Sequence, residues 1–109
     1  MWVVTKGGRF YAAVQEHGNP DLIRVRTRTR GDMMVTGFKF TETPENDYSY
    51  LAVVPRYLWT TFLTDAAEAI DYDGLKNTVR DHKRHGILVE CWAALMALSP
   101  KGWGRYSGL

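Results

Sequence analysis

The chain has 109 residues, of which 45% are hydrophobic and 24% charged, a composition that fits one globular domain and excludes disorder over most of its length. Its net charge of +2 is too small to indicate a nucleic acid or a membrane as the partner. The single cysteine, Cys91, excludes an internal disulfide and favours a reducing compartment. No run approaches the roughly 18 apolar residues of a membrane span, and the N-terminus lacks a signal-peptide pattern, so we expect a cytoplasmic protein with no membrane partner.

Residues 2–30 are predicted to form an antiparallel meander of three short strands. The apolar run 2–5 stops at Lys6-Gly7-Gly8, and residues 10–16 then alternate in character. Two glycines can supply the positive φ angles of a tight hairpin turn. A turn cluster over 18–21, which contains Pro20, separates the second strand from a third over residues 22–30.

The middle of the chain carries weaker signals. Asp32 can cap a short helix, whereas residues 35–38 are poor helix formers, so the structure of residues 31–40 stays open. Residues 41–47 are polar, contain Pro44 and are predicted to form a loop. A fourth strand is predicted over residues 48–54, ended by Pro55.

Apolar residues spaced three and four apart over residues 58–70 predict an amphipathic helix. Asp73 is the predicted N-cap of a further helix, whose apolar stripe runs from Leu75 to Met96 with a break or kink at Gly86. Beyond Ser99-Pro100, residues 101–109 are rich in glycine and are predicted to be a flexible tail.

Strands first and helices later predict an α+β fold. We expect an antiparallel sheet of three to four strands, beginning with the N-terminal meander, packed on one face by two to three C-terminal helices. Residues 1–100 are then a single domain. The other face of the sheet is left free, and function is expected there.

Four arginines alternate along the predicted third strand: Arg24, Arg26, Arg28 and Arg30. On a strand they would share one face over about 20 Å. Guanidinium groups bind carboxylates and phosphates bidentately, so this face could bind an acidic protein surface or a nucleic-acid backbone. The simpler interpretation is a solvated face whose like charges prevent edge-to-edge aggregation. Tyr11, or alternatively Tyr48, is the candidate aromatic anchor beside these arginines, since RNA-binding sheets combine basic and aromatic side chains. The sequence does not fix the face on which either tyrosine lies.

Other candidate groups favour ordinary structural roles. His82 and His85 have the spacing of metal ligands, but the basic residues around them oppose a cation, and an exposed turn between helices is predicted. Cys91 lies on the apolar stripe and is predicted to be a buried core thiol.

Four carboxylates gather near the end of the first long helix, and surface pairing with Lys76 and Arg80 is favoured over metal binding or acid–base chemistry: Asp65, Glu68, Asp71 and Asp73. No motif of a phosphate-binding loop, a serine hydrolase, a zinc protease or a dinucleotide site is present. We predict that the chain is not an enzyme and has no catalytic residue, no metal and no cofactor.

Several segments together resemble a family of small uncharacterised proteins of actinobacteria and their phages: residues 8–14, 19–26, 47–50, 54–56, 70–72, 75–76 and Trp92. The resemblance covers most of residues 2–95. It fails over residues 33–40, where members of the family look more helical and more charged, and the glycine-rich tail has no counterpart. It implies an accessory protein of no established activity, with no catalytic residues to carry over.

These observations predict a non-catalytic accessory protein, encoded by a phage, that binds a host or phage macromolecule through its arginines. The expected partner is a host or phage protein with an acidic surface, met in the host cytoplasm. The alternative is a nucleic acid bound by the same arginines. A homodimer formed through an open sheet edge is a further alternative.

Overall fold

A computed structural model describes residues 1–100 apart from the side chain of Lys76, so the predicted tail, residues 101–109, lies outside the described residues. Its helices are α1 (Arg30–Thr36), α2 (Arg56–Glu68) and α3 (His82–Leu95), with short 3-10 turns at Leu75–Thr78 and Met96–Leu98. Its strands are β1 (Trp2–Thr5), β2 (Arg9–Glu16), β3 (Asn19–Thr27), β4 (Thr41–Glu42) and β5 (Tyr50–Pro55). The predicted α+β class is confirmed.

The strands form one five-stranded sheet in the order β1-β2-β3-β5-β4, and every neighbouring pair is antiparallel. The N-terminal meander is confirmed. Gly7 and Gly8 have φ angles of 87° and 80°, which the β1–β2 turn requires and which other residues rarely adopt. The sheet gains a fifth strand over the prediction because the two-residue β4 pairs with β5 at one edge.

One face of the sheet carries the core. This helix-side face presents Tyr11, Ala13, Ile23, Val25, Ala52 and Val54, all buried. Met33 from α1 and Trp59 from α2 complete the cluster. The Phe62 ring of α2 stacks on Trp59 at 5.4 Å and meets the Tyr11 ring edge-on at 5.0 Å. Helices α1 and α2 thus cover this one face of the sheet.

The third strand ends earlier than predicted, at Thr27, because Thr29 caps a helix that begins at Arg30. The Thr29 hydroxyl accepts a hydrogen bond from the Asp32 amide at 3.3 Å and so serves as the N-cap that the sequence had suggested for Asp32. Gly37, at φ 73°, ends α1. Burial of Met33 in the core outweighs the poor helix propensity of Val35 and Thr36.

The last helix also begins later than predicted. Asp81, and not Asp73, is its N-cap, since the Asp81 carboxylate accepts hydrogen bonds from the amides of Lys83 and Arg84 at 2.8 and 3.2 Å. His82 and His85 therefore lie in the first turns of α3, and not in a turn between helices. The predicted break at Gly86 is absent from α3, all of which is described.

Cys91 is exposed, and its prediction as a buried core thiol is wrong. Within α3, every residue of which is described, no side chain is buried, even though Ile87 and Leu95 are apolar. The apolar stripe predicted a helix correctly but did not show what the helix packs against. Helices α1 and α2 already fill the core, and α3 lies outside it.

Arg84 anchors the beginning of α3 to the rest of the fold. Its guanidinium donates to both Asp32 carboxylate oxygens at 3.0 Å and to the Gly8 carbonyl at 2.8 Å. The same carboxylate, which is buried, accepts the Phe10 amide at 3.1 Å. One ion pair therefore joins α3, α1 and the β1–β2 hairpin.

Candidate functional site

The sheet face opposite the core, here called the open face, is set by the strand register. Ala12 lies beside Arg26, which lies beside Leu51, and Val14 lies beside Arg24, which lies beside Val53. Side chains of a strand alternate between faces, so these residues point away from the buried cluster. The open face includes Trp2, Val4, Phe10, Ala12, Val14, Leu22, Arg24, Arg26, Thr41, Leu51, Val53 and Pro55.

The open face is largely apolar, and part of that apolar surface is in contact with water. Trp2 is 76% exposed, Val14 42% and Val53 40%. The Trp2 ring meets the Phe10 ring edge-on at 5.7 Å, which holds two aromatic side chains at one end of the face. An extended apolar patch on an ordered sheet is typical of an interaction surface.

The four predicted arginines do not form one ladder. Arg24 and Arg26 lie on the open face, whereas Arg28 follows the end of β3 and Arg30 opens α1. Arg24 binds Glu16 at 3.1 and 3.3 Å, and Arg28 binds Asp47 at 2.6 Å. Arg30 is ion-paired with Glu42. The carboxylates of β2, β4 and the loop before β5 thus neutralise three of these four cations.

Arg26 differs from the other three arginines. Within residues 1–100 it forms no ion pair, and its Nε atom is buried without a hydrogen-bond partner. Its guanidinium lies 4.8 Å from the centroid of the Tyr48 ring, and that of Arg28 lies 4.4 Å from the same centroid. Arg26 is therefore held in place by a ring and forms no ion pair of its own, although the Asp47 carboxylate lies close enough to interact with its charge.

A shallow groove of about 280 Å³ runs beside Arg26, lined by Arg24, Arg26, Thr43, Asn46, Asp47, Tyr48 and Leu51. The hydrogen bond from Arg28 lowers the pKa of the Asp47 carboxyl, so the Arg28–Asp47 pair stays charged at neutral pH. Asp47 is thus already engaged by Arg28, whereas the Arg26 guanidinium, in the same groove, forms no ion pair. A carboxylate fits this arrangement, because a guanidinium binds it with two parallel hydrogen bonds.

Tyr11 does not join the arginines, which corrects its assignment as their aromatic anchor. It lies on the helix-side face, fully buried, and its hydroxyl donates to the Asp32 carbonyl at 2.8 Å. Burial, with the nearby Asp32 carboxylate as the next cause, raises the pKa of the Tyr11 phenol to about 12. Tyr48, the alternative anchor, lies outside the strands and is the tyrosine that packs on Arg26.

The apolar residues of the open face were missed from the sequence, although a signal was present. Val53 and Val54 are adjacent and both apolar, as are Ala13 and Val14, so β5 and β2 present apolar side chains on both faces. A strand with one solvated face would alternate apolar with polar residues. The lack of this alternation in β2 and β5 is the sequence signal for the apolar open face.

Within residues 1–100, the other candidate residues do not come together as a metal site. Among residues 1–100 no group of three or more His, Cys, Asp or Glu side chains could hold a metal ion. Asp71 binds Lys6 at 2.6 Å, a hydrogen bond that lowers the pKa of the Asp71 carboxyl. Surface pairing is therefore observed at Asp71, although its partner is not one of the two basic residues expected.

Comparison of the chain with protein-family models, curated proteins and solved structures finds no match. The resemblance to small proteins of actinobacteria and their phages therefore stays a prediction. In the part of the chain that the structure describes, no helix combines the length and the apolar character needed to cross a membrane.

Proposed function

We propose that this chain is a non-catalytic accessory protein that binds another protein through its open face. The exposed apolar residues would form the centre of the contact, and Arg26 would bind a carboxylate of the partner. The observation that carries the proposal is an ordered sheet face, left uncovered by the core helices, that combines aromatic, aliphatic and arginine side chains. Interfaces between proteins are enriched in aromatic residues and arginine.

The ion pairs of the arginines favour a protein over a nucleic acid. Nucleic-acid affinity depends on cations that are free to neutralise phosphates. Here three of the four arginines already bind carboxylates of the same chain, which weakens the positive field. A single guanidinium without an ion pair, among apolar side chains, suits a partner surface with one carboxylate among apolar residues.

The biological setting belongs to the same proposal. The single cysteine is an exposed thiol, which supports a reducing compartment and so the cytoplasm. The family resemblance supports an accessory gene of an actinobacterial phage. The partner would then be a host or phage protein with an acidic group, met in the host cytoplasm.

The proposal is tested by photo-crosslinking in cells that carry the gene. The crosslinking amino acid p-benzoylphenylalanine replaces Val53 on the open face or, as the matched control, the exposed Thr60 of α2. We expect position 53 to capture one defined foreign protein that position 60 does not. Capture at both positions alike, or of no foreign protein at position 53, contradicts the proposal.

Nucleic acid is the second candidate, because Trp2 and Phe10 share the sheet face with Arg24 and Arg26. RNA-binding sheets stack bases on such aromatic rings. This function predicts binding to single-stranded RNA that weakens steeply between about 50 and 200 mM salt. The protein-binding proposal predicts no binding tighter than about 100 µM, the weak end of non-specific association, in a fluorescence-anisotropy titration.

A further inference from the structure

The outer edge of β1 has unpaired backbone groups. Met1 and Ala13 exchange two backbone hydrogen bonds, each of 2.9 Å. In an antiparallel ladder such pairs alternate, which places the next one at Val3 and Tyr11. The amides and carbonyls of Trp2 and Val4 therefore point away from β2, and within residues 1–100 none of them has a hydrogen-bond partner.

An apolar groove of about 350 Å³ lies alongside this edge. Val3 and Val4 form one wall, and Leu63 and Ala67 of α2, followed by Ile70, form another. Trp2 and Ile70, each 76% exposed, leave large apolar surfaces in water near the same edge. A strand added to β1 would satisfy the backbone groups and place alternate side chains over the groove.

From this geometry we infer that β1 pairs antiparallel with β1 of a second copy, about a twofold axis that passes beside Val3. Trp2 of each copy then lies opposite Val4 of the other, and the two exchange both backbone hydrogen bonds. The two Val3 residues face each other as a non-hydrogen-bonded pair on the helix side, over the two grooves. The five-stranded sheet of one copy continues into that of the other.

A second copy fits this edge because the strand is complementary to itself. In a twofold-symmetric contact, the same patch must supply both sides of the interface. The backbone groups of Trp2 in one copy pair with those of Val4 in the other, and the symmetry gives the same pairing a second time. The Lys6 ammonium is ion-paired with Asp71, and the Met1 ammonium is held on the β2 side of the strand by the Ala13 carbonyl, away from the outer edge. The edge also lacks the proline, bulge or inward charge that protects edge strands from pairing.

The pairing would join two open faces into one surface. This inference does not depend on the proposed function, because self-association is measured without any partner. An edge of four residues buries less than a standard interface, so we expect a dissociation constant on the order of 10 µM. A partner with two copies of its binding group would then be held more tightly than a partner with one.

Disulfide trapping tests the pairing and its register. Val3→Cys and Thr5→Cys are made in a Cys91→Ser background; both positions are half-buried and lie on the same side of β1. Non-hydrogen-bonded partners have Cα atoms about 4.5 Å apart, within disulfide range. The two Thr5 residues would be about 13 Å apart along the strands, beyond that range. Mild oxidation should therefore yield covalent dimers of Val3→Cys and leave Thr5→Cys monomeric.

A Val3→Cys variant that stays monomeric, or equal crosslinking of the two variants, overturns the inference. Sedimentation velocity between about 1 and 100 µM provides an independent check on the protein without added cysteines. Val4→Pro removes only an amide hydrogen that points outward, so it should abolish the dimer with the fold retained, as read by circular dichroism. Unchanged self-association of a folded Val4→Pro protein also overturns it.

Discussion

Asp32 is a buried carboxylate that receives hydrogen bonds from parts of the chain far apart in sequence. Its oxygens accept from the Arg84 guanidinium and the Phe10 amide, and its backbone carbonyl accepts from the Tyr11 hydroxyl. The side chain of Asp32 is 7% exposed and that of Arg84 is 26% exposed. Because an unpaired carboxylate at this burial would destabilise the folded state, the Asp32–Arg84 ion pair has a structural role.

Replacing Arg84 by methionine should therefore destabilise the fold strongly. The change keeps an unbranched side chain but leaves the Asp32 carboxylate without its cation, and we expect a loss of about 3 kcal/mol in the free energy of unfolding. Urea denaturation, monitored by tryptophan fluorescence, measures this change in the free energy of unfolding. Lys83→Met, at the exposed neighbouring position of α3, is the matched control and should change stability by less than about 0.5 kcal/mol. Similar stabilities of the two variants would mean that the ion pair contributes little.

Tyr11 gives the fold a pH dependence in the alkaline range. Its pKa is raised from 10.0 to about 12 in the folded state, so the unfolded chain loses the phenolic proton first. The corresponding stability is fully present below pH 10 and is lost progressively as the pH rises to 12, by about 2–3 kcal/mol.

Tyr11→Phe has no phenol to titrate, so its unfolding free energy should fall less steeply between pH 10 and 12 than that of the parent. At neutral pH the variant should be less stable by about 1 kcal/mol, because the Asp32 carbonyl loses its donor. Urea titrations at successive pH values measure both effects. Parallel curves for the two proteins would show that Tyr11 is not responsible for the alkaline loss.

At the scale of elements, α3 is the helix that departs most from expectation. Since Cys91 is exposed, its thiol should react with Ellman's reagent in the native protein at a rate comparable to that of the chain unfolded in urea. A buried thiol would react only after local or global unfolding. Strong protection in the native state would show that α3 is covered in solution.

The sequence predicted those elements whose signals are local. The Gly7-Gly8 turn depends on backbone conformation alone, and the apolar spacing that defines α2 repeats over more than three turns. The end of β3 could not be predicted in the same way. Arginine alternation continues to Arg30, but Thr29 caps α1, and the buried Asp32–Arg84 pair, 52 residues apart in sequence, holds that helix in place.

The candidate site was predicted only in part for a related reason. Alternation placed Arg24 and Arg26 on one face correctly, but it could not say whether Tyr11 shares that face. The Arg24–Glu16 pair spans a single predicted hairpin, whereas the carboxylates that pair with Arg28 and Arg30 come from 19 and 12 residues away and are brought close only by the folded sheet. The exceptional position of Arg26 is therefore a property of the tertiary structure.

At the scale of the whole molecule, the two faces of the sheet differ in composition and in surroundings. The helix-side face carries the core and the Asp32 network, while the open face carries apolar side chains around Arg26, whose buried Nε has no hydrogen-bond partner within residues 1–100. Substitutions on the open face should therefore change binding with little effect on folding. The central claim is that this face binds a protein through Arg26 specifically, and not through positive charge in general.

The most direct test compares Arg26→Gln with Arg30→Gln in the Val53 photo-crosslinking experiment. Each variant removes one positive charge that lies over an aromatic ring, but Arg30 is already paired with Glu42 and is not part of the groove beside Arg26. Our account predicts that Arg26→Gln lowers the yield of the captured partner by about tenfold, the effect of losing 1.4 kcal/mol of binding free energy, while Arg30→Gln largely retains it. Equal losses in the two variants, or no loss in Arg26→Gln, would contradict the account.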